Sequence, residues 1–185
     1  VQQIIYDIFD SDDDGSDSIS LGIGPIYDVL VGDQKSTSSL TTIYSFIDAL
    51  KNANPSSVAA LDTLTQGFNM DVVADEYGTG ETSNGGMASL LPVYTSISVG
   101  SNANVWMKGT DESAGGYSNR LTNNRYVKTI GNGNTVTVTV APAGAEDVDF
   151  FVYKDGEQIT AENSLGDGAT ETGSFLSING ATYII

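Results

Sequence analysis

The chain has 185 residues with 24 acidic and 7 basic side chains, a formal charge of -17, and neither His nor Cys. Losing imidazole and thiol removes the commonest metal ligand, the commonest general base and the strongest side-chain nucleophile, so zinc sites and His-based triads cannot be built here. The charge repels phosphate backbones and anionic lipid, which argues against nucleic acid or a membrane surface as partner. No stretch reaches the roughly 20 apolar residues that a membrane span needs. With 39% hydrophobic residues the chain can still bury a core.

The first part reads as helices. Val1, Ile4, Ile5 and Ile8 fall at i, i+3, i+4 and i+7, a helical stripe. Pro25 stands as an N1 proline ahead of Ile26, Val29 and Leu30, and Gly32 stands as the stop. Leu40, Ile43, Tyr44, Ile47 and Leu50 give the clearest amphipathic helix, with Thr37 or Ser38 to cap it. Asn54-Pro55 opens a fourth helix through Val58, Leu61 and Leu64, closed by Gly67. Residues 75–86 are polar, Gly-rich and aperiodic, and read as a loop.

Beyond Pro92 the period becomes two. Val93, Thr95, Ile97 and Val99 alternate, as do Val136, Val138 and Val140, and Val148, Phe150 and Val152. Asp155-Gly156 and Asn179-Gly180 are hairpin-type pairs, the second joining Phe175–Ile178 to Tyr183–Ile185. The expected fold class is α+β in two segregated parts: a helical bundle over 1–74, a Gly-rich linker over 75–92 and an antiparallel β-sandwich over 93–185. Both ends read as interior to a longer chain.

Two acidic groups are candidate cation sites. Asp10, Asp12, Asp14 and Asp17 set carboxylates around Gly15 in the manner of a calcium loop, because a hard cation wants several oxygens. The twelfth position from Asp10 is Leu21 and not a bidentate Glu, so the EF-hand pattern fails, and the rival reading is a solvated acidic loop. Asp147 and Asp149 flank Val148 and on a strand would share one face, able to hold calcium or simply to line an exposed face. Asp75, Glu76 and Glu81 could belong to a cleft or only to a linker, and Trp106, Tyr117, Tyr126 and Tyr153 to a sugar- or peptide-binding platform or only to packing.

Tyr6, Asp7, Phe9, Asp10, then Gly22, Pro25, Ile26, Tyr27, then Thr41–Leu50 carry a resemblance to the region downstream of the zinc site in bacterial secreted or lipoprotein zincin-like (HExxH-type) metallopeptidases. Asn119-Arg120-Leu121, Arg125-Tyr126-Val127, the strand 135–140 and Asp147-Val148-Asp149-Phe150 with Tyr153 are similar to the pre-peptidase C-terminal domain, a β-sandwich. The resemblance implies a C-terminal part of such a protein, with the helical lobe closing one side of the peptidase cleft and the sandwich aiding secretion, folding or substrate docking. Any zinc would lie in the upstream part of the parent, whose catalytic domain would be the partner of this chain. No catalytic residue transfers, since HExxH is absent. The expectation is therefore a non-catalytic, extracytoplasmic piece, and the rival is a carbohydrate- or protein-binding cell-surface module stabilised by calcium.

Overall fold

The computed structural model describes residues 1–11, 18–84, 91–107 and 124–185. The chain divides into two compact units, Val1–Val93 and Tyr94–Ile185. The first is helical and the second is built of mostly antiparallel strands, so the fold class is α+β.

In the first unit α1 (Gln2–Phe9) buries Ile4 and Ile8, as its stripe requires. Helix α2 (Ile23–Val31) buries Ile26 and Val29 and ends at Gly32. It starts two residues before Pro25, so the proline sits inside the first turn, where its absent N–H costs nothing. A short helix α3 (Asp33–Ser36), with no apolar period to announce it, follows at once. Helix α4 (Ile43–Ala53) buries Phe46, Ile47, Ala49 and Leu50. Its cap is Thr42 and not Thr37 or Ser38, because Thr42 and Ser45 form a reciprocal capping box: Ser45 N–H donates to Thr42 Oγ1 at 3.3 Å and Thr42 N–H to Ser45 Oγ at 3.0 Å. Pro55 opens a 3₁₀ turn (Pro55–Ser57) that runs into α5 (Val58–Gly67). Ile4, Ile8, Ile26, Val29, Ile47, Leu50, Leu61 and Leu64 share one core.

Residues 71–84 fold back onto these helices. Lys51 on α4, only 9% exposed, donates to the Val73 carbonyl at 2.8 Å and is ion-paired with Asp62 on α5. Asp62 Oδ1 takes no other hydrogen bond among the described residues, and the one ammonium links α4 to both α5 and the returning segment.

The second unit has β1 (Tyr94–Ser96), β2 (Tyr126–Ile130), β3 (Thr135–Val140), β4 (Phe150–Lys154), β5 (Glu157–Glu162), β6 (Glu171–Leu176) and β7 (Thr182–Ile184). Five strands form one sheet in the order β1-β2-β7-β4-β5, and β3 pairs with β6 in a second. All pairs are antiparallel except β1 with β2. Val136 and Val138 of β3 and Phe175 of β6 share a core with Phe150, Val152 and Tyr183 of the larger sheet. Gly173 makes the room for the Phe150 ring, since a Cβ there would stand 3.0 Å from its Cζ.

Three expectations are corrected. Asn179-Gly180 does not close a hairpin, because β6 pairs with β3 while β7 lies between β2 and β4, so the turn carries the chain from one sheet to the other. Asp147 and Asp149 are not on a strand: β4 begins at Phe150, and both carboxylates precede it, exposed. The 93–99 strand shrinks to Tyr94–Ser96, its ladder ending as Ile97 N–H reaches the Lys128 carbonyl at 2.9 Å. Asp155-Gly156 does make the β4–β5 hairpin, with φ of 51° and 77° at its two residues, the left-handed pair that such a turn requires.

Candidate functional site

The returning segment 71–84 is held by its own carboxylates. Asp75 Oδ1 accepts the N–H groups of Tyr77 and Thr79 at 2.9 and 3.0 Å, closing a small turn. Glu81 accepts from Ser83 N–H at 2.8 Å, from Asp71 N–H at 3.2 Å and from the Tyr44 hydroxyl at 3.2 Å. Asp71 in turn accepts Thr82 N–H at 2.7 Å, and the bonds from Thr82 hold its carboxyl below the usual aspartate range. Burial first, and then the Glu81 carboxylate, push the Tyr44 hydroxyl well up, so it stays protonated as the donor. Gly78 lies against the Tyr44 ring with φ +66°, and a Cβ there would stand 2.8 Å from the ring carbon Cγ.

These contacts set Glu76 at the mouth of a cleft. Glu76 Oε1 accepts the Ser38 hydroxyl at 2.7 Å, Oε2 accepts the Thr37 hydroxyl, and Tyr77 meets Ser38 beside it. The cleft measures about 220 Å³ and is lined by Asp33, Gln34 and Ser36 of α3, by Asp48 and Asn52 of α4, and by Glu76. Gln34 is fixed by its carbonyl, which accepts the Ser45 hydroxyl at 2.9 Å, while its shielded Nε2 has no hydrogen-bond partner among the described residues. Three carboxylates line the space and no Lys or Arg does. Asp48 registers that imbalance. Burial, then repulsion from Glu76 and Asp75, raise its carboxyl above the usual aspartate value, against the weaker pull of Lys51. The arrangement favours a cationic group over a neutral or anionic one.

Of the loop carboxylates singled out in the sequence, Glu76 lines the cleft, Asp75 accepts backbone N–H groups of the segment, and Glu81 bonds both the segment and Tyr44 of α4. Asp10 caps α1 and is half-buried, its Oδ1 shielded and taking no hydrogen bond among the described residues. Asp12, Asp14 and Asp17 lie outside the described residues, as does Tyr117. Asp147 and Asp149 are exposed. Among the described residues no group of three or more carboxylates is placed to hold a metal ion. No helix among them is long and apolar enough to cross a membrane. In the second unit Trp106 is exposed, with the Arg125 guanidinium 5.6 Å from its ring centroid, and Tyr126 packs on Tyr94 at 5.3 Å. Trp106 thus meets a guanidinium and Tyr126 a tyrosine of β1.

Sequence reasoning missed Gln34 and Asp48 at the cleft, because α3 has no hydrophobic period and Asp48 sits on the polar side of a helix. It also missed Glu171, fully buried at the start of β6 with Oε1 accepting Leu165 N–H at 2.9 Å and Oε2 without a partner among the described residues. Period-two reading gives no hint of a buried carboxylate there. The chain matches no family model, no curated protein and no solved structure.

Proposed function

We propose that this chain is a non-catalytic, extracytoplasmic accessory part of a zincin-like metallopeptidase, whose zinc-binding residues lie in other sequence. Its helical unit would lie against the catalytic part and close one side of the cleft, and its β unit would be an appended sandwich of the pre-peptidase C-terminal kind. One observation carries the reading: several residues of the resembling motifs are not used by the unit's own core. Tyr6, Phe9 and Tyr27 are 58%, 46% and 59% exposed, while Ile4, Ile8 and Ile26 between them do the packing. Large aromatic side chains left outside a formed core fit a surface that another protein covers. The absence of His and Cys from the sequence agrees with a non-catalytic role.

The test has two arms. The coding sequence upstream of Val1 is expected to contain an HExxH segment, and an open reading frame without one overturns the reading. The purified chain is expected to leave casein intact with or without zinc. Cleavage abolished by a chelator would equally overturn it.

A second reading, a glycan-binding module, is favoured by the exposed Trp106 with Arg125 beside it. Glycan-array binding that Trp106→Ala abolishes would put this reading first.

A further inference from the structure

Helix α2 is apolar on both of its faces. Ile26 and Val29 enter the core, yet Ile23, Tyr27, Leu30 and Val31 are 64%, 59%, 49% and 50% exposed. Their spacing of i, i+4, i+7 and i+8 makes a continuous outward stripe of about 12 Å at the helical rise. An apolar stripe exposed opposite the buried face, with Asp28 the one charge on the helix, is the pattern of an interaction surface. Among the described residues the unit's core takes only Ile26 and Val29 from this helix and leaves the stripe exposed.

Charge says what kind of surface that is. Gly32 ends α2 and begins α3, and the next residue, Asp33, lines the acidic cleft. The stripe's last residue, Val31, thus stands two positions before Asp33, which edges the cleft together with Asp48 and Glu76, and exposed Asp28 lies on α2 itself. The nearby cations do not fill it: Lys51 is engaged by Asp62 and the Val73 carbonyl, and exposed Lys35 is not among the lining residues. A second copy would bring its own -17 charge to the same place, and an anionic lipid surface would be repelled likewise.

We infer that the α2 face receives an amphipathic helix of a partner protein, with apolar residues one and two turns apart and a lysine or arginine at the end that enters the Asp33–Asp48–Glu76 cleft. This rests on the reading that the helical unit lies against another protein, and it names the chemistry of the contact. The stripe supplies the apolar seat and the cleft fixes direction and selects charge.

Two hydrocarbon-stapled helical peptides test it on the full 185-residue chain, identical in their leucine stripe and ending in either two lysines or two glutamates. By fluorescence anisotropy at low salt the lysine peptide is expected to bind about tenfold more tightly or better, a preference that fades at high salt. Tyr27→Ser with Leu30→Ser is expected to weaken its binding by about tenfold without lowering the melting temperature. Asp33→Asn with Asp48→Asn is expected to erase the lysine preference and spare the glutamate peptide. Equal binding of the two peptides, binding of neither, or binding indifferent to the Tyr27 and Leu30 changes overturns the inference. So does a dimer in sedimentation equilibrium that Leu30→Ser dissolves, which would give the face to a second copy. An upstream sequence without HExxH sinks the metallopeptidase reading and leaves this result standing. Failed peptide binding beside an upstream HExxH sinks this inference alone.

Discussion

Asp48 holds more negative charge around it than an exposed aspartate meets, and the fold bears a cost for it. Its carboxyl titrates above the ordinary aspartate value because burial and then Glu76 and Asp75 disfavour the ionised form. The direction of the pH effect follows from linkage. Below the ordinary aspartate value the group is protonated in both folded and unfolded chains and costs nothing. As pH rises through the raised folded value, the folded state alone resists ionisation, and stability is lost. Asp48→Asn is therefore expected to raise the melting temperature at pH 7, followed by helical circular dichroism, with the difference from the parent closing below pH ~4. A variant melting below the parent at pH 7 would mean that Asp48 is paired more favourably than its neighbours suggest. The same residue shows what a sequence conceals. Asp48 follows Ile47 on an amphipathic helix and reads as an ordinary solvent-facing side chain, and only the return of residues 71–84 brings Glu76 and Asp75 near it.

Between elements, one ammonium group joins three segments. Lys51→Met leaves Asp62 without its cation and the Val73 carbonyl without its donor, at a cost of about 2–3 kcal/mol, below the usual figure for a fully buried pair because Asp62 keeps some contact with water. Urea unfolding measures it. Adding Asp62→Leu is expected to recover at least half, since two apolar groups need no partner. Elements whose residues answer to one local period were legible in the sequence: α1, α4 and α5 from their stripes, β3 from strict Val/Thr alternation, and the β4–β5 turn from Asp155-Gly156. What stayed hidden depends on distant pairing. A turn pair such as Asn179-Gly180 says that the chain reverses, but not which strands receive it, and β7 is drawn away from β6 by β2 and β4. Asp147 and Asp149 looked like strand residues because apolar Val148 separates them, yet the ladder with β5 starts only at Phe150 facing Glu162. The cleft was half legible: Glu76 carried a carboxylate signal, whereas α3 carried none.

For the molecule as a whole, charge is the dominant long-range term. With 24 acidic side chains against 7 basic ones, pairs such as Lys51–Asp62 and Lys154–Asp155 leave most carboxylates without a cation to match, so repulsion outweighs local attraction. Raising ionic strength from about 0.01 to about 0.15 M shortens the screening length from about 30 to about 8 Å. The melting temperature at pH 7 is expected to rise over that range by differential scanning fluorimetry, and a fall would show that local pairs prevail. Sheet edges show the same charge in use. Strand β5 lies at the rim of the five-stranded sheet and carries Glu157 and Glu162 at its ends, which discourages another chain from adding to it.

The place of β7 has a consequence for how the second unit comes together. It is central in space, between β2 and β4, yet β1, β2, β4 and β5 all precede it in sequence. Ile185 extends the join by exchanging two hydrogen bonds with Val127, at 2.7 and 2.9 Å. During ribosomal synthesis, then, two half-sheets wait with open flanks until residues 182–185 emerge to bridge them. A nascent chain paused just short of residue 182 therefore offers bare strand edges to whatever is nearby.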